Sequence, residues 1–234
     1  MMGRAVKAAF PRTLPVMTGY LFLGIAFGLL LSSRGYGWGL AMVMSVFIYA
    51  GSMQFVAVGI LSAPLDVGAA AILTFMVNAR HMFYGLSMLD RFRDTGKWKP
   101  YLVFALTDET YSLLCTVPVP KDIPTGAYYG AIALLNHSYW IIGSTLGALC
   151  GSLLAFDIQG IDFVMTALFV VIFLDQWEKS KNHTAALTGI FITAVCLLVF
   201  GSQWFLLPSM GGILLALTVL RGKLEVKYHA LANQ

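Results

Sequence analysis

Two short polar constellations hold the residues that could do chemistry in this chain. The first is Asn78-Ala79-Arg80-His81, with Tyr84 one turn beyond Arg80, inside the otherwise apolar run Val67–Leu89. The second is Thr107-Asp108-Glu109-Thr110, midway along Tyr101–Val117. A charge near mid-membrane costs about 2.5–3.5 kcal/mol on insertion scales, so it normally faces a bundle interior and marks a substrate or proton route. One cation and two acids at that depth are what a carrier of a zwitterion needs. Arg80 can clamp a substrate carboxylate, since its planar fork matches that geometry and stays charged at any pH. His81 points about 100° away round the helix and can relay protons. Asp108 can take a substrate ammonium and Glu109 a coupling proton. Neighbouring helical residues face different directions, so both acids aim at one point only where the helix unwinds. A structural reading stands beside this one: Arg80 is a salt bridge to Asp108 or Glu109, and the other acid caps an internal helix break. Both readings hold together if the pair opens on substrate binding, and both require Arg80 within reach of an acid.

Weaker signals surround these two. Gly51-Ser52-Met53-Gln54 interrupts an apolar run, and Gln54 can hydrogen-bond a substrate while freed backbone groups hold its termini; the alternative is close helix packing by small residues. Asn136-His137-Ser138 lies mid-run as well; Asn136 is a candidate substrate contact, whereas a lone His such as His137 is more often a satisfied structural group. Asp175-Gln176, beside Glu178-Lys179, reads as an interfacial anchor. Small-residue spacing at Gly143-Ser144-Thr145-Leu146-Gly147 reads as helix packing. Cys115, Cys150 and Cys196 sit in apolar surroundings with no paired spacing, so they read as small buried hydrophobes rather than metal ligands or disulfides. No HExxH, GxSxG, P-loop or GxGxxG occurs, so no metal site, cofactor or nucleotide is expected, and transport would draw on a gradient or a partner.

The elements that must position these residues follow from composition. The chain has 234 residues, 59% hydrophobic and 11% charged, with a mean hydropathy of +0.79. A soluble domain carries about a quarter charged residues, so the expected class is an all-α polytopic membrane protein with a single transporter domain over residues 1–234. The formal charge of +4 comes from short flanking clusters that suit anionic lipid headgroups, not nucleic acid. About eight apolar segments stand out, at 13–33, 38–62, 66–89, 101–118, 126–155, 161–177, 184–200 and 204–220. The first reads as a retained helix with a cytoplasmic start, because Arg4, Lys7 and Arg12 precede it and no small-residue cleavage site follows. Basic residues also cluster at Arg91/Arg93/Lys97/Lys99, Lys179/Lys181 and Arg221/Lys223/Lys227, which should all be cytoplasmic. Simple crossing by every segment would put the 90–100 loop on the wrong side. One segment before it must therefore be discontinuous, and 38–62, interrupted at Ala50–Gln54, is the candidate. The same parity demands a second break between 100 and 178, with 126–155 the candidate. Broken helices at membrane depth line cavities, and two of them suit an inverted-repeat transporter.

Three motifs taken in order carry a family resemblance: Tyr49-Ala50-Gly51-Ser52-Met53-Gln54-Phe55, Arg80-His81-Met82-Phe83-Tyr84-Gly85 and Leu106-Thr107-Asp108-Glu109. Across roughly residues 10–120 the chain resembles the large subunits of AzlC-type (YgaZ or BrnF) branched-chain amino-acid exporters. The resemblance implies export of leucine, isoleucine, valine and, at the margin, methionine across the bacterial inner membrane. It also implies a small membrane partner of the AzlD (YgaH, BrnE) type and energisation by the proton motive force. The other classes weighed are an intramembrane enzyme using His81 with Asp108 or Glu109, which lacks a nucleophile, metal site or cofactor motif, and a non-transporting scaffold.

Overall fold

The computed structural model describes residues 2–62, 64, 66–153, 183–205 and 211–220, with 166–167, 170, 173–174, 177–178 and 208–209 between them. Regular structure among the described residues is helical, with no strand, and the protein is an all-α membrane bundle. Two compact units divide the chain, Met1–Thr166 and Ala167–Gln234.

The first unit is built on two long helices, α1 (Met2–Ser33) and α7 (Thr125–Leu153). They run parallel in one register: Gly24 faces Gly143 and Ser144, Gly28 faces Ser144 to Ala148, and Gly151 faces Ser32. A Cβ on Gly28 would fall 2.2 Å from the Ser144 carbonyl oxygen, and one on Gly147 would fall 2.2 Å from that of Ile25. Backbones this close are how membrane helices gain packing energy without a hydrophobic drive between them. The Gly143–Gly147 spacing is therefore a packing device, as expected.

Between these two helices the chain makes two broken pairs. Segment 38–62 is α2 (Trp38–Phe47) and α3 (Gly51–Leu61), joined through Ile48–Ala50. The break falls just before the Gly51–Gln54 stretch, which forms the first turn of α3. Tyr49 there adopts φ 43°, a left-handed conformation costing a non-glycine residue about 1–3 kcal/mol. Its ring is held in place by His137, 4.1 Å away centroid to centroid, and by Phe104 at 6.3 Å. The two outer ends of the pair come back together, since Tyr36 Oη donates to the Leu61 carbonyl at 2.8 Å. The pair thus enters and leaves at the end of the bundle where α1 finishes.

The second break is not where the sequence placed it. As far as Leu153, segment 126–155 is one continuous helix through Asn136-His137-Ser138, because Asn136 and His137 find partners on neighbouring elements and Ser138 donates to the Leu134 carbonyl of its own helix. Segment 101–118 is broken instead, into α5 (Lys99–Phe104, after a 3₁₀ turn at Gly96–Trp98) and α6 (Asp108–Thr116). Thr107 caps α6 in extended backbone (φ −85°, ψ 172°), its hydroxyl accepting from the Thr110 amide at 3.3 Å. Asp108 and Glu109 follow in the first turn, where the helix dipole favours acids. Arg91, in the loop before α5, donates to the Leu114 carbonyl near the end of α6, so this pair also doubles back. Its loop lies beside the start of α7, with the Thr95 carbonyl 2.4 Å from where a Gly126 Cβ would stand.

Between the pairs runs α4 (Val67–Ser87), capped by Asp66, whose carboxylate accepts from the Ala69 amide at 3.0 Å. At about 1.5 Å per residue it is about 31 Å long, enough to cross the hydrocarbon. It leads from the end where α2–α3 is rooted to the end where α5–α6 is rooted. The order long helix, broken pair therefore occurs twice with inverted direction, as α1–α2–α3 and as α4–α5–α6, and the two tips approach from opposite ends.

In the second unit, α8 (Thr184–Trp204) is interrupted at Gly201 (φ 70°, ψ 174°) and packs on α9 (Gly211–Leu220) through Gly189–Ile213 and Gly212–Ile192. Most of segment 161–177, with Asp175-Gln176 and the basic positions 179, 181 and 221–227, lies outside the described residues.

Candidate functional site

The tips of the two broken pairs and the middle of α4 converge on Arg80. Its Nη1 lies 3.0 Å from Asp108 Oδ2 at the first residue of α6. Its Nη2 donates to Ser52 Oγ at 2.7 Å, on the second residue of α3. Arg80 and Asp108 are 31% and 29% exposed, so the pair is partly buried. A charge-assisted bond to each tip engages Nη1 and Nη2, but Arg80 Nε and Asp108 Oδ1 are buried without a partner. Leaving such groups unpaired costs about 1–3 kcal/mol each, a cost natural sites accept where a ligand or water supplies the bond. One buried nitrogen of the cation and one buried oxygen of the anion are thus left without a partner. Asn78 Oδ1, two residues before Arg80, is another buried atom with no partner.

Glu109 turns away from this pair. Tyr20 of α1 donates to Glu109 Oε2 at 2.6 Å, and the same phenolic oxygen lies 2.6 Å from Thr107 Oγ1. Thr107 reaches Thr110 Oγ1 at 3.0 Å, and Asn136 Nδ2 of α7 donates to Thr110 Oγ1 at 3.1 Å. A hydroxyl chain thus runs from Glu109 through Tyr20, Thr107 and Thr110 to Asn136, tying α6 to α1 and α7. The two adjacent acids serve two environments because successive residues of a helix point about 100° apart.

The remaining sequence candidates are dispersed. Gln54 is fully buried and spends its amide on Ser45 Oγ (3.2 Å) and on the indole N–H of Trp140 (2.8 Å), away from Arg80. Asn136 is buried at the end of the hydroxyl chain, its Oδ1 unpartnered. His81 Nδ1 sits 3.2 Å from the Asn78 carbonyl, which only accepts, so that nitrogen carries the proton. Its ring meets Tyr84 edge-on at 5.9 Å, and Tyr84 stacks on Tyr111 of α6 at 4.6 Å. His137 has a structural task. At the α2 break both Ile48 and Tyr49 amides turn to Met44, leaving the Ser45 carbonyl to His137 Nε2 at 3.1 Å. Nε2 must therefore donate, and Nδ1 accepts from Tyr101 Oη at 3.0 Å.

Ser52 and Tyr20 belong to the site although the sequence proposed neither as a site residue. Ser52 lies inside the Gly51–Gln54 motif, where Gln54 is the more conspicuous donor. Tyr20 is a lone phenol in an apolar helix, and only the fold sets it beside Glu109.

No solved structure resembles this chain. Among known proteins, the branched-chain amino acid transport protein AzlC of Bacillus subtilis is 48% identical over 94% of this chain and 87% of its own length. A Helicobacter pylori protein known only as a membrane protein is 48% identical over 95% of this chain and 97% of its own. The Escherichia coli inner membrane protein YgaZ is 28% identical over 76% of each. The AzlC protein family matches residues 15–154, a stretch that holds Tyr20, both broken pairs, Arg80 and α7. This chain belongs to the AzlC family of membrane transport proteins.

Proposed function

We propose that the protein is a secondary exporter of branched-chain amino acids, with leucine, isoleucine and valine as substrates and methionine a weaker one. It works as one transporter domain in the bacterial inner membrane with its N-terminus cytoplasmic. Its partner is a small subunit of the AzlD type and its driving force the proton motive force. The observation that carries this reading is the Arg80–Asp108 pair with one donor and one acceptor unspent. A zwitterion presents the complement: a carboxylate for the guanidinium edge at Nε and an ammonium for Asp108 Oδ1, with Asn78 Oδ1 a further acceptor on the same helix. The Bacillus relative's name supports the choice of substrate class.

Glu109 is the proposed proton carrier. Its carboxylate shares a helix turn with the substrate pair and has a hydroxyl partner already in place, whereas the Nδ1 proton of His81 is held by a backbone carbonyl. Gln54 and Asn136 shape the site from behind rather than touch substrate.

Cells fed a leucine- or valine-containing dipeptide test the proposal. With this chain and its partner expressed, intracellular leucine and valine should stay low; without them they should accumulate. Equal accumulation in both cases would overturn it, and turnover of the amino acid would point to an enzyme instead.

A further inference from the structure

The tips of the two broken pairs share a single fastener. α2–α3 is rooted at the end of the bundle where α1 finishes, through Tyr36 and Leu61, and α5–α6 at the opposite end, through Arg91 and Leu114. Arg80 belongs to neither pair. It stands on α4, a helix that buries only Met76 among its own residues, and it forks between Ser52 on one tip and Asp108 on the other. We infer that Arg80 is the common bolt of two gates, with Ser52 the positioning residue that fastens the α2–α3 gate and Asp108 the one that fastens the α5–α6 gate. A carboxylate seated on the guanidinium edge at Nε competes with Ser52 for Nη2, and the ammonium of the same solute competes with Arg80 for Asp108, so occupancy and gate release become one event. An element biased by two sites in this way is what alternating access requires. The inference rests on Arg80 being the carboxylate contact of the proposed function, but the gating itself can be read without substrate.

The test uses the full chain with its partner subunit in membrane vesicles of both orientations, the native Cys115, Cys150 and Cys196 being replaced by serine. Ala50→Cys probes the first tip and Leu106→Cys the second, each against a membrane-impermeant thiol reagent. Ser52→Ala should raise labelling at position 50 several-fold from the face where α1 ends and leave position 106 unchanged. Asp108→Asn should raise labelling at position 106 several-fold from the opposite face only. Ser52→Thr, which keeps the oxygen, should restore the unmodified pattern; a fold-wide loosening would not be rescued so. Should Asp108→Asn not assemble, Arg80→Lys serves in its place, because one ammonium cannot fork to two tips and at least one probe must gain labelling. Gains from both faces with either single substitution, or from neither, would overturn the inference. Loss of leucine transport in the unmodified protein would overturn the proposed function and leave the labelling result standing.

Discussion

Asp108 and Glu109 are neighbours with different partners, and that division is where mutants should separate. Arg80→Ala removes the carboxylate clamp and leaves the partly buried Asp108 without its cation. Counterflow of labelled leucine in liposomes and pH-gradient-driven flux should both fall, by more than about tenfold. Glu109→Gln is isosteric and leaves Arg80–Asp108 intact, so counterflow should stay measurable while driven flux is lost. Exchange needs only that the site alternate, whereas uphill transport needs a proton taken on one side and released on the other. His81→Gln should leave driven flux intact, and a collapse of driven flux in that variant with Glu109→Gln unaffected would move the proton role to His81. His137 belongs to the same scale for a different reason. His137→Phe would orphan the Ser45 carbonyl and the Tyr101 hydroxyl, lowering stability by about 1–3 kcal/mol, read as an earlier thermal transition in detergent.

At the scale of elements, the unit depends on how closely α1 and α7 approach. Gly28→Val would drive a side chain into the Ser144 carbonyl and the Ala148 amide, which are backbone and cannot swing aside. Folded yield should drop sharply. Gly19→Ala, one face round the same helix with open space about it, should be neutral or slightly stabilising. Similar melting behaviour for the two variants would mean the parallel α1–α7 contact is absent. The sequence already carried this contact in its small-residue spacing. It also carried the first break, because the parity of crossings required one before the 90–100 loop and Ala50–Gln54 interrupts segment 38–62 with small and polar residues. The second break was equally written, as the cap signature Thr107-Asp108-Glu109, but apolar length on both sides disguised it as mid-helix. Asn136-His137-Ser138 looked like the better break only because the partners of Asn136 and His137 lie on other elements.

At the scale of the molecule, the inverted pairs make a topological forecast. Ser33→Cys and Ser62→Cys, at the end of α1 and just past α3, should react with an impermeant thiol reagent from one face. Arg93→Cys and Lys121→Cys should react from the other. The second loop lies beside the chain's start, where Arg4, Lys7 and Ala8 line a cavity together with Pro120, Asp122 and Ile123. If Ser33 and Ser62 variants react from opposite faces, α2–α3 crosses the membrane instead of doubling back. With the basic start in the cytoplasm, the arrangement sets the 90–100 loop there too, which meets the charge distribution that simple crossings violate.

The sequence alone determined the membrane class, the polar constellations and the need for two discontinuous helices. Each rests on a quantity that is additive along the chain: apolar length, the cost of a charge at depth, the parity of crossings. It also required Arg80 to have an acid nearby, since a lone buried cation is too costly. Which acid, and what else, was decided only by the tertiary structure. Asp108 takes Arg80 and Glu109 takes Tyr20 because α6, capped by Thr107, points its first two residues at α4 and at α1. Gln54 goes to Trp140, and Ser52 to Arg80, because α3 presents them on different faces at its first turn. Partner choice of this kind depends on the angle at which two helices meet, and no local pattern of residues encodes that angle.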